Sequence, residues 1–195
     1  MTARKIRKLL RKILPIETKR LIIRQIEYDD AYDMYDYASR EEVCKYLLWS
    51  PYLNVSAVEG YIEYVQKRYL RGLYADWAVA LKENNRMIGT CGFVNIDTLN
   101  EECEVGYVLS PDYWGNGYMT EALEAVLQIA FIVFELNAVK LRIINENTAS
   151  KKLAERSGFK LETVLYASME IKGEMRDIAH YKITKEEYCK KNEAI

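Results

Sequence analysis

The segment from Glu104 to Phe134 runs a strand into a long helix through a loop with two glycines, and nothing else in these 195 residues limits the fold as tightly. Glu104-Val105-Gly106-Tyr107-Val108-Leu109 has the β-branched and aromatic content of a strand, and Pro111 ends it. From about Gly117 to Phe134 the apolar residues recur at helical spacing. A strand feeding a glycine loop that opens directly into a helix brings several backbone N–H groups and the positive end of a helix dipole to one point. That point suits a pyrophosphate, and Gly115 and Gly117 let it approach without a Cβ in the way. Glycines in such a junction also serve as plain turn residues, so the loop alone names no function.

The flanking pattern supplies a sheet for this junction. Leu21-Ile22-Ile23-Arg24 reads as a first strand, and Asp29-Asp30 caps a helix with Ala31, Met34, Tyr35 and Ala38 along one side. Ser56 and Glu59 have capping-box spacing for a second helix to about Tyr69, ended by Gly72. Trp77–Leu81 and Met87–Val94 flank the polar turn Glu83-Asn84-Asn85, a hairpin signature. After the long helix come a strand over Val139–Ile144, a helix over 148–156 ending in Ser157-Gly158-Phe159, and two strands around Lys172-Gly173. The order β-α-α-β-β-β-α-β-α-β-β predicts an α+β fold, a mixed sheet with helices on both faces.

Ahead of this lies a different segment. Ile6, Leu9, Leu10 and Ile13 share one helix face, Arg4, Lys5, Arg7, Lys8, Arg11 and Lys12 fill the others, and Pro15 stops the pattern. The chain thus divides into a basic amphipathic helix over 1–15 and one domain over 16–195. Residues 1–20 hold eight Lys or Arg and one Glu, so a net charge of -1 conceals a basic arm on an acidic body. The arm either contacts anionic lipid, RNA or an acidic partner, or docks its stripe on the domain or a second subunit.

Half of the residues are hydrophobic and 29% are charged, which fits a well-cored globular domain. The longest apolar stretch, Ala125–Phe134, is far below the ~20 residues a spanning helix needs. Cys44, Cys91, Cys103 and Cys189 are widely spread and His180 is the one histidine, so no metal site is expected. With no apolar signal region, a cytoplasmic protein with reduced, mostly core-filling thiols is predicted.

The residues around the loop carry a resemblance. Gly106-Tyr107-Val108-Leu109-Ser110-Pro111-Asp112-Tyr113-Trp114-Gly115-Asn116-Gly117-Tyr118-Met119-Thr120-Glu121-Ala122-Leu123 closely resembles the acetyl-CoA loop of GNAT N-acetyltransferases. The likeness is greatest to the RimJ/RimL branch, which contains N-terminal acetyltransferases of ribosomal proteins and relatives acting on other amines. A second block, Asn145 to Glu162 with Asn147, Ser150 and Gly158-Phe159, is similar to the family's N-x-x-S…G-F element. A third, Gly173-Glu174-Met175-Arg176-Asp177, resembles its closing G-x-x-R-D hairpin, and Leu21–Arg24 its opening strand. The likeness covers about residues 17–185, and three separated blocks in order are more specific than one motif. It implies the GNAT fold, with a mostly antiparallel sheet of about seven strands, and acetyl-CoA as co-substrate.

The family's roles can be placed on this chain. The strand before the loop splays from its neighbour and offers backbone to the pantetheine arm, which would fall to Tyr107, Val108 and Leu109. Backbone amides of Trp114, Gly115, Asn116, Gly117, Tyr118, Met119 and Thr120 would hold the pyrophosphate, with the Thr120 hydroxyl adding a bond. Asn147 would contact the cofactor arm. Lys151 and Lys152 would pair with nucleotide phosphates or, equally, form a solvated helix face. Asp112 departs from the Gln or Arg common at its position, and a carboxylate beside phosphates has to face away.

Moving an acetyl group from a thioester to an amine needs the amine unprotonated, the carbonyl polarised and the leaving thiolate protonated. Glu104 is the preferred base: strand alternation sets it opposite Cys103 and Val105, and a cleft carboxylate takes a proton directly or through water. Its plainer role is a sheet-edge carboxylate bonded to backbone; Glu102 and Glu170 are alternatives. A relay through Cys103 lacks a neighbouring histidine. Many family members carry a tyrosine as acid where this chain has Ala154, whereas RimJ/RimL-like enzymes offer the serine that is Ser150 here, a residue that also suits a helix cap. Tyr46, Trp49, Tyr52, Tyr61 and Tyr64 lie where the family builds its acceptor site, and they either line a groove or fill the core.

The implied partners are acetyl-CoA and an amine acceptor, either a protein N-terminus or a small molecule, with no role for DNA. Residues 4–14 lean toward a ribosome or another acidic partner, and both a monomer and a homodimer are open. Two other readings remain at this level: a catalytically silent acyl-CoA-binding or regulatory module, and an RNA- or membrane-binding protein using the basic helix.

Overall fold

The computed structural model describes residues 2–12, 15–73 and 76–193. Helix α1 (Ala3–Leu10) precedes a short β1 (Ile16–Glu17) and β2 (Leu21–Arg24). Three helices follow, α2 (Ala31–Ala38), α3 (Glu41–Cys44) and α4 (Val55–Leu70), then β3 (Asp76–Leu81), β4 (Met87–Asp97) and β5 (Glu102–Leu109). Beyond the loop come α5 (Tyr118–Gln128), β6 (Ala138–Ile144), α6 (Thr148–Arg156), β7 (Lys160–Ile171), β8 (Glu174–Thr184) and α7 (Lys185–Glu193). Among the described residues the strands form one eight-stranded sheet in the order β1-β2-β3-β4-β5-β6-β8-β7. Every pairing is antiparallel except β5 with β6.

The predicted α+β arrangement is present, with β1 as an eighth strand and α3 and α7 as added helices. Two residues are too short a run for periodicity to reveal, and the few apolar positions of α7 carry no clear helical stripe. Strand alternation separates the two faces of the sheet at Asp76 and Trp77. Trp77 meets Phe93 edge-on at 5.4 Å, and Phe93 lies 5.5 Å from Phe134 at the end of the α5 segment. Asp76 instead accepts a hydrogen bond from Tyr61 on α4. Helices therefore cover both faces.

Local capping differs from the expected pattern in two places. The cap of α4 is Asn54, whose Oδ1 accepts from Ala57 N at 3.0 Å; Ser56 lies already inside the helix, so the Ser56–Glu59 box does not form. Asp30 opens α2 as expected, but its carboxylate works in a reciprocal box with Glu27 and takes two bonds of 2.7 Å from Arg24 on β2. Together these fix the chain entering α2 against the first strand. The apolar stripe of α1 docks on the domain through Ile6 and Leu10, which join the central core, while its basic side chains stay exposed. Gly72, at φ +65°, makes the close approach possible: a Cβ there would lie 2.7 Å from the Arg7 carbonyl oxygen. Ile13, the last residue of the predicted stripe, lies outside the described residues. No described helix is long and apolar enough to cross a membrane.

Candidate active site

The site begins where the one parallel pairing stops. Strands β5 and β6 are in register at Glu102 with Ala138, Cys103 with Val139 and Glu104 with Lys140, and no further. Past that point β5 stays with β4, through Gly106–Gly92, Val108–Thr90 and Leu109–Gly89, while β6 stays with β8. The sheet therefore opens into a V, and the backbone of residues 105–109 loses its neighbour on one side. Gly89 sets the closeness of β5 to β4: a Cβ there would lie 2.2 Å from the Val108 carbonyl oxygen. A cavity of about 700 Å³ fills the V, lined by both diverging strands, the glycine loop, the start of α6 and the segment after α3. That volume suits a small-molecule or cofactor site.

At one end the loop forms a cradle. Gly115 and Gly117 adopt φ of +76° and +79°, a left-handed region that strains any L side chain. The first bond inside α5 runs from Glu121 N to the Gly117 carbonyl at 3.1 Å, so the amides of Tyr118, Met119 and Thr120 stand in the open first turn. Such a turn suits a pyrophosphate. The Trp114 amide is already committed to the Pro111 carbonyl at 3.1 Å, so the free donors begin at Gly115 rather than at Trp114. The Trp114 indole donates instead to the Leu109 carbonyl at 2.8 Å and is half exposed at the cavity. Asn116 turns its amide to the Trp114 carbonyl and does not line the cavity.

A brace that the sequence reading missed holds this loop. Glu121 accepts from Thr18 Oγ1 at 2.6 Å, Arg20 N at 2.7 Å and Arg20 Nε at 2.8 Å, and Arg20 Nη1 donates to the Asn116 carbonyl at 2.9 Å. The Arg20 guanidinium also lies 4.2 Å over the Tyr118 ring. Burial works against the Glu121 charge, yet these bonds outweigh it and hold the carboxyl below its ordinary value. Asp112 does face away: Arg40 grips it with two bonds of 2.7 and 2.9 Å and lowers its carboxyl.

Among the base candidates, the structure brings Glu104 alone to the cavity. Its Oε1 accepts from Arg142 Nε at 2.8 Å, a pair formed across the opening V. Glu102 is tied between Lys140 and Lys182 and does not line the cavity; burial raises its carboxyl, but those cations hold it low. Glu170 is exposed on β7 and also outside the lining. Cys103 points to the core face, where burial pushes its thiol up and leaves no thiolate for a relay.

Ser150 sits at the start of α6, whose cap is Asn147: Asn147 Oδ1 accepts from Ser150 N at 3.1 Å. The Ser150 hydroxyl is 2.7 Å from the Tyr107 hydroxyl, and both residues line the cavity. Burial pushes the Tyr107 phenol up to about 12 despite the Ser150 hydrogen bond. Tyr107, expected to serve through its backbone, thus brings a protonated hydroxyl beside Ser150, whereas Ala154 is buried and does not line the cavity. Lys152 is exposed and Lys151 bonds Asn145 at 3.2 Å; neither lines the cavity. Arg156 instead lines the cavity beside the loop, and its Nε donates to Thr120 Oγ1 at 2.9 Å. Of the aromatic set, Tyr46 and Trp49 line the cavity, whereas Tyr52 packs on the core, Tyr61 bonds Asp76 and Tyr64 is exposed.

Comparison with known proteins agrees with this geometry. The family described as Acetyltransferase (GNAT) domain matches residues 20–160. The uncharacterized N-acetyltransferase p20 of Bacillus licheniformis is 33% identical over 172 residues, 88% of this chain and 97% of that protein. The ribosomal-protein-serine acetyltransferase of Escherichia coli is 33% identical over 92 residues, 47% of this chain and 51% of that protein. A GNAT-family acetyltransferase from Bacillus anthracis, known from its crystal structure, superposes with a TM-score of 0.79 at 26% identity, covering 89% of this chain and 99% of that one. With a splayed sheet, a left-handed glycine cradle and these matches in agreement, the chain belongs to the GNAT acetyltransferase family.

Proposed function

We propose that the protein acetylates a primary amine, a protein N-terminal α-amine or a small-molecule amine, by direct attack within one ternary complex. The family's co-substrate, acetyl-CoA, supplies an acetyl thioester whose C–S bond breaks as the new C–N bond forms. The observation that carries the reading is the V between β5 and β6, which runs from the glycine cradle past Val108 to Glu104. Amides from Gly115 to Thr120 and the Arg156 guanidinium bind the phosphates, and the open edge of Tyr107, Val108 and Leu109 orients the arm. Glu104, fixed through Oε1 by Arg142, takes the proton that the attacking nitrogen loses. Ser150 gives its hydroxyl proton to the departing sulfur and regains one from the Tyr107 hydroxyl through their 2.7 Å bond, while solvent returns a proton to Tyr107 and takes the one that Glu104 has gained.

Calorimetry with acetyl-CoA, followed by free-thiol release across a panel of amines and N-terminal peptides, tests the reading. Binding together with acceptor-dependent release is expected. Binding without release for any acceptor favours a silent acyl-CoA module, and absence of binding overturns the assignment.

The acid role has its own test. Ser150→Ala and Tyr107→Phe are each expected to lower kcat by about 10-fold to 100-fold, with the acetyl-CoA Kd within about twofold of wild type. Unchanged turnover in Ser150→Ala would remove the assignment.

A further inference from the structure

The far end of the cavity, away from the glycine cradle, holds a carboxylate the mechanism does not use. Asp76 opens β3 and lines the cavity, and its Oδ2 accepts from Tyr61 OH at 2.5 Å. No ion pair reaches it among the described residues. Burial pushes its carboxyl up, against the Tyr61 hydrogen bond and the positive field of Arg68. Nearby, Tyr37 is 1% exposed and its hydroxyl has no hydrogen-bond partner among the described residues; burial, then the charge of Asp76, raises its phenol. A desolvated carboxylate that makes no ion pair among the described residues is costly unless something polar reaches it from the cavity.

The sheet register relates this carboxylate to the reacting groups. Asp76 pairs with Gly92, and Gly92 pairs with Gly106, so the three stand side by side across β3, β4 and β5. Directly paired residues share a face, and Glu104 and Val108, two positions either side of Gly106, share it too. Two strand spacings put Asp76 about 10 Å from Gly106. Gly92 and Gly106 add no side chain of their own there, and the Val94 side chain, which also lines the cavity, lies over Gly106, where a Cβ would stand 2.9 Å from its Cγ2.

We propose that the Asp76 carboxylate binds a second cationic nitrogen of the acceptor, so that the preferred substrates are short aliphatic diamines rather than monoamines. The proposal rests on the reading of this cavity as an amine acetylation site. A hydrogen bond of about 3 Å at Asp76 leaves roughly 7 Å between the two nitrogens, the reach of about four or five methylenes. Tyr46 and Trp49 give the methylenes an apolar wall, and Glu42 adds negative charge at the exposed mouth. Lys45, also at the mouth, lies 5.1 Å over the Tyr46 ring. A monoamine of equal length fills the same wall but leaves Asp76 unpaired.

The test compares 1,4-diaminobutane and 1,5-diaminopentane with butylamine and pentylamine, reading free-thiol release from the full chain at saturating acetyl-CoA. Wild type is expected to favour each diamine by at least about 30-fold in kcat/KM, mostly through KM. Asp76→Asn is expected to bring that ratio within about threefold, with a thermal melt checking that the variant folds. If Asp76→Asn does not fold, the wild-type series still decides, since equal use of diamine and monoamine overturns the proposal. A diamine preference that survives in a folded Asp76→Asn overturns it too. Turnover confined to peptide N-termini overturns this inference and leaves amine acetylation standing, whereas acetyl-CoA binding with no release for any acceptor brings down both.

Discussion

Replacing Glu104 by Gln is expected to lower kcat/KM for any accepted amine by about 10²-fold to 10³-fold while leaving the acetyl-CoA Kd within about twofold. The substitution keeps the shape of the side chain and an oxygen for the 2.8 Å bond from Arg142, so the opening between β5 and β6 persists. What it removes is the capacity to accept a proton, a loss in the range measured for positioned general bases. The phosphate cradle lies at the other end of the cavity and is braced by Thr18, Arg20 and Glu121, none of which contacts Glu104. Affinity and turnover should therefore separate. Steady-state kinetics beside calorimetry checks this, and a variant with wild-type kcat/KM would move the base role to water or to another group. Arg142→Gln is a useful companion, because it releases Glu104 from its tether without touching the carboxylate.

Part of this site was readable before any coordinates. Gly115 and Gly117 announce left-handed turns because few other residues tolerate a φ near +80°, and the strand and helix that flank them are long enough for periodicity to show. Asn147 and Ser150 are three residues apart, so their cap is a local matter. The rest depends on pairing between distant segments. Tyr107 alternates to the α6 face of β5, but that its hydroxyl ends beside Ser150 follows only once α6 is docked. Arg156 meets Thr120 because the end of one helix lies against the start of another, a relation with no trace in linear spacing. Lys151 and Lys152 carry the right charge and point elsewhere, since a helix shows only one side to the cavity. Asp76 was invisible for the same reason: its significance comes from Gly92 and Gly106 standing beside it on other strands.

The geometry of the V makes one glycine more demanding than the two that mark the loop. Gly89→Ala is expected to cost about 1–3 kcal/mol of stability and to raise the acetyl-CoA Kd by more than about tenfold. The new Cβ would sit 2.2 Å from the Val108 carbonyl oxygen and 3.0 Å from the Leu109 Cα, both backbone atoms that cannot swing aside. Relief requires β5 to move away from β4, toward β6, and that motion narrows the opening on which the arm depends. Gly60→Ala is the matched control: it lies exposed within α4 with nothing within 4 Å of its Cβ position, and a helical alanine should add about 1 kcal/mol there. Thermal melts with and without acetyl-CoA report both effects. A Gly89→Ala protein with wild-type melting and wild-type affinity would show that β5 tolerates displacement at Val108, and the V could no longer be credited with holding the arm.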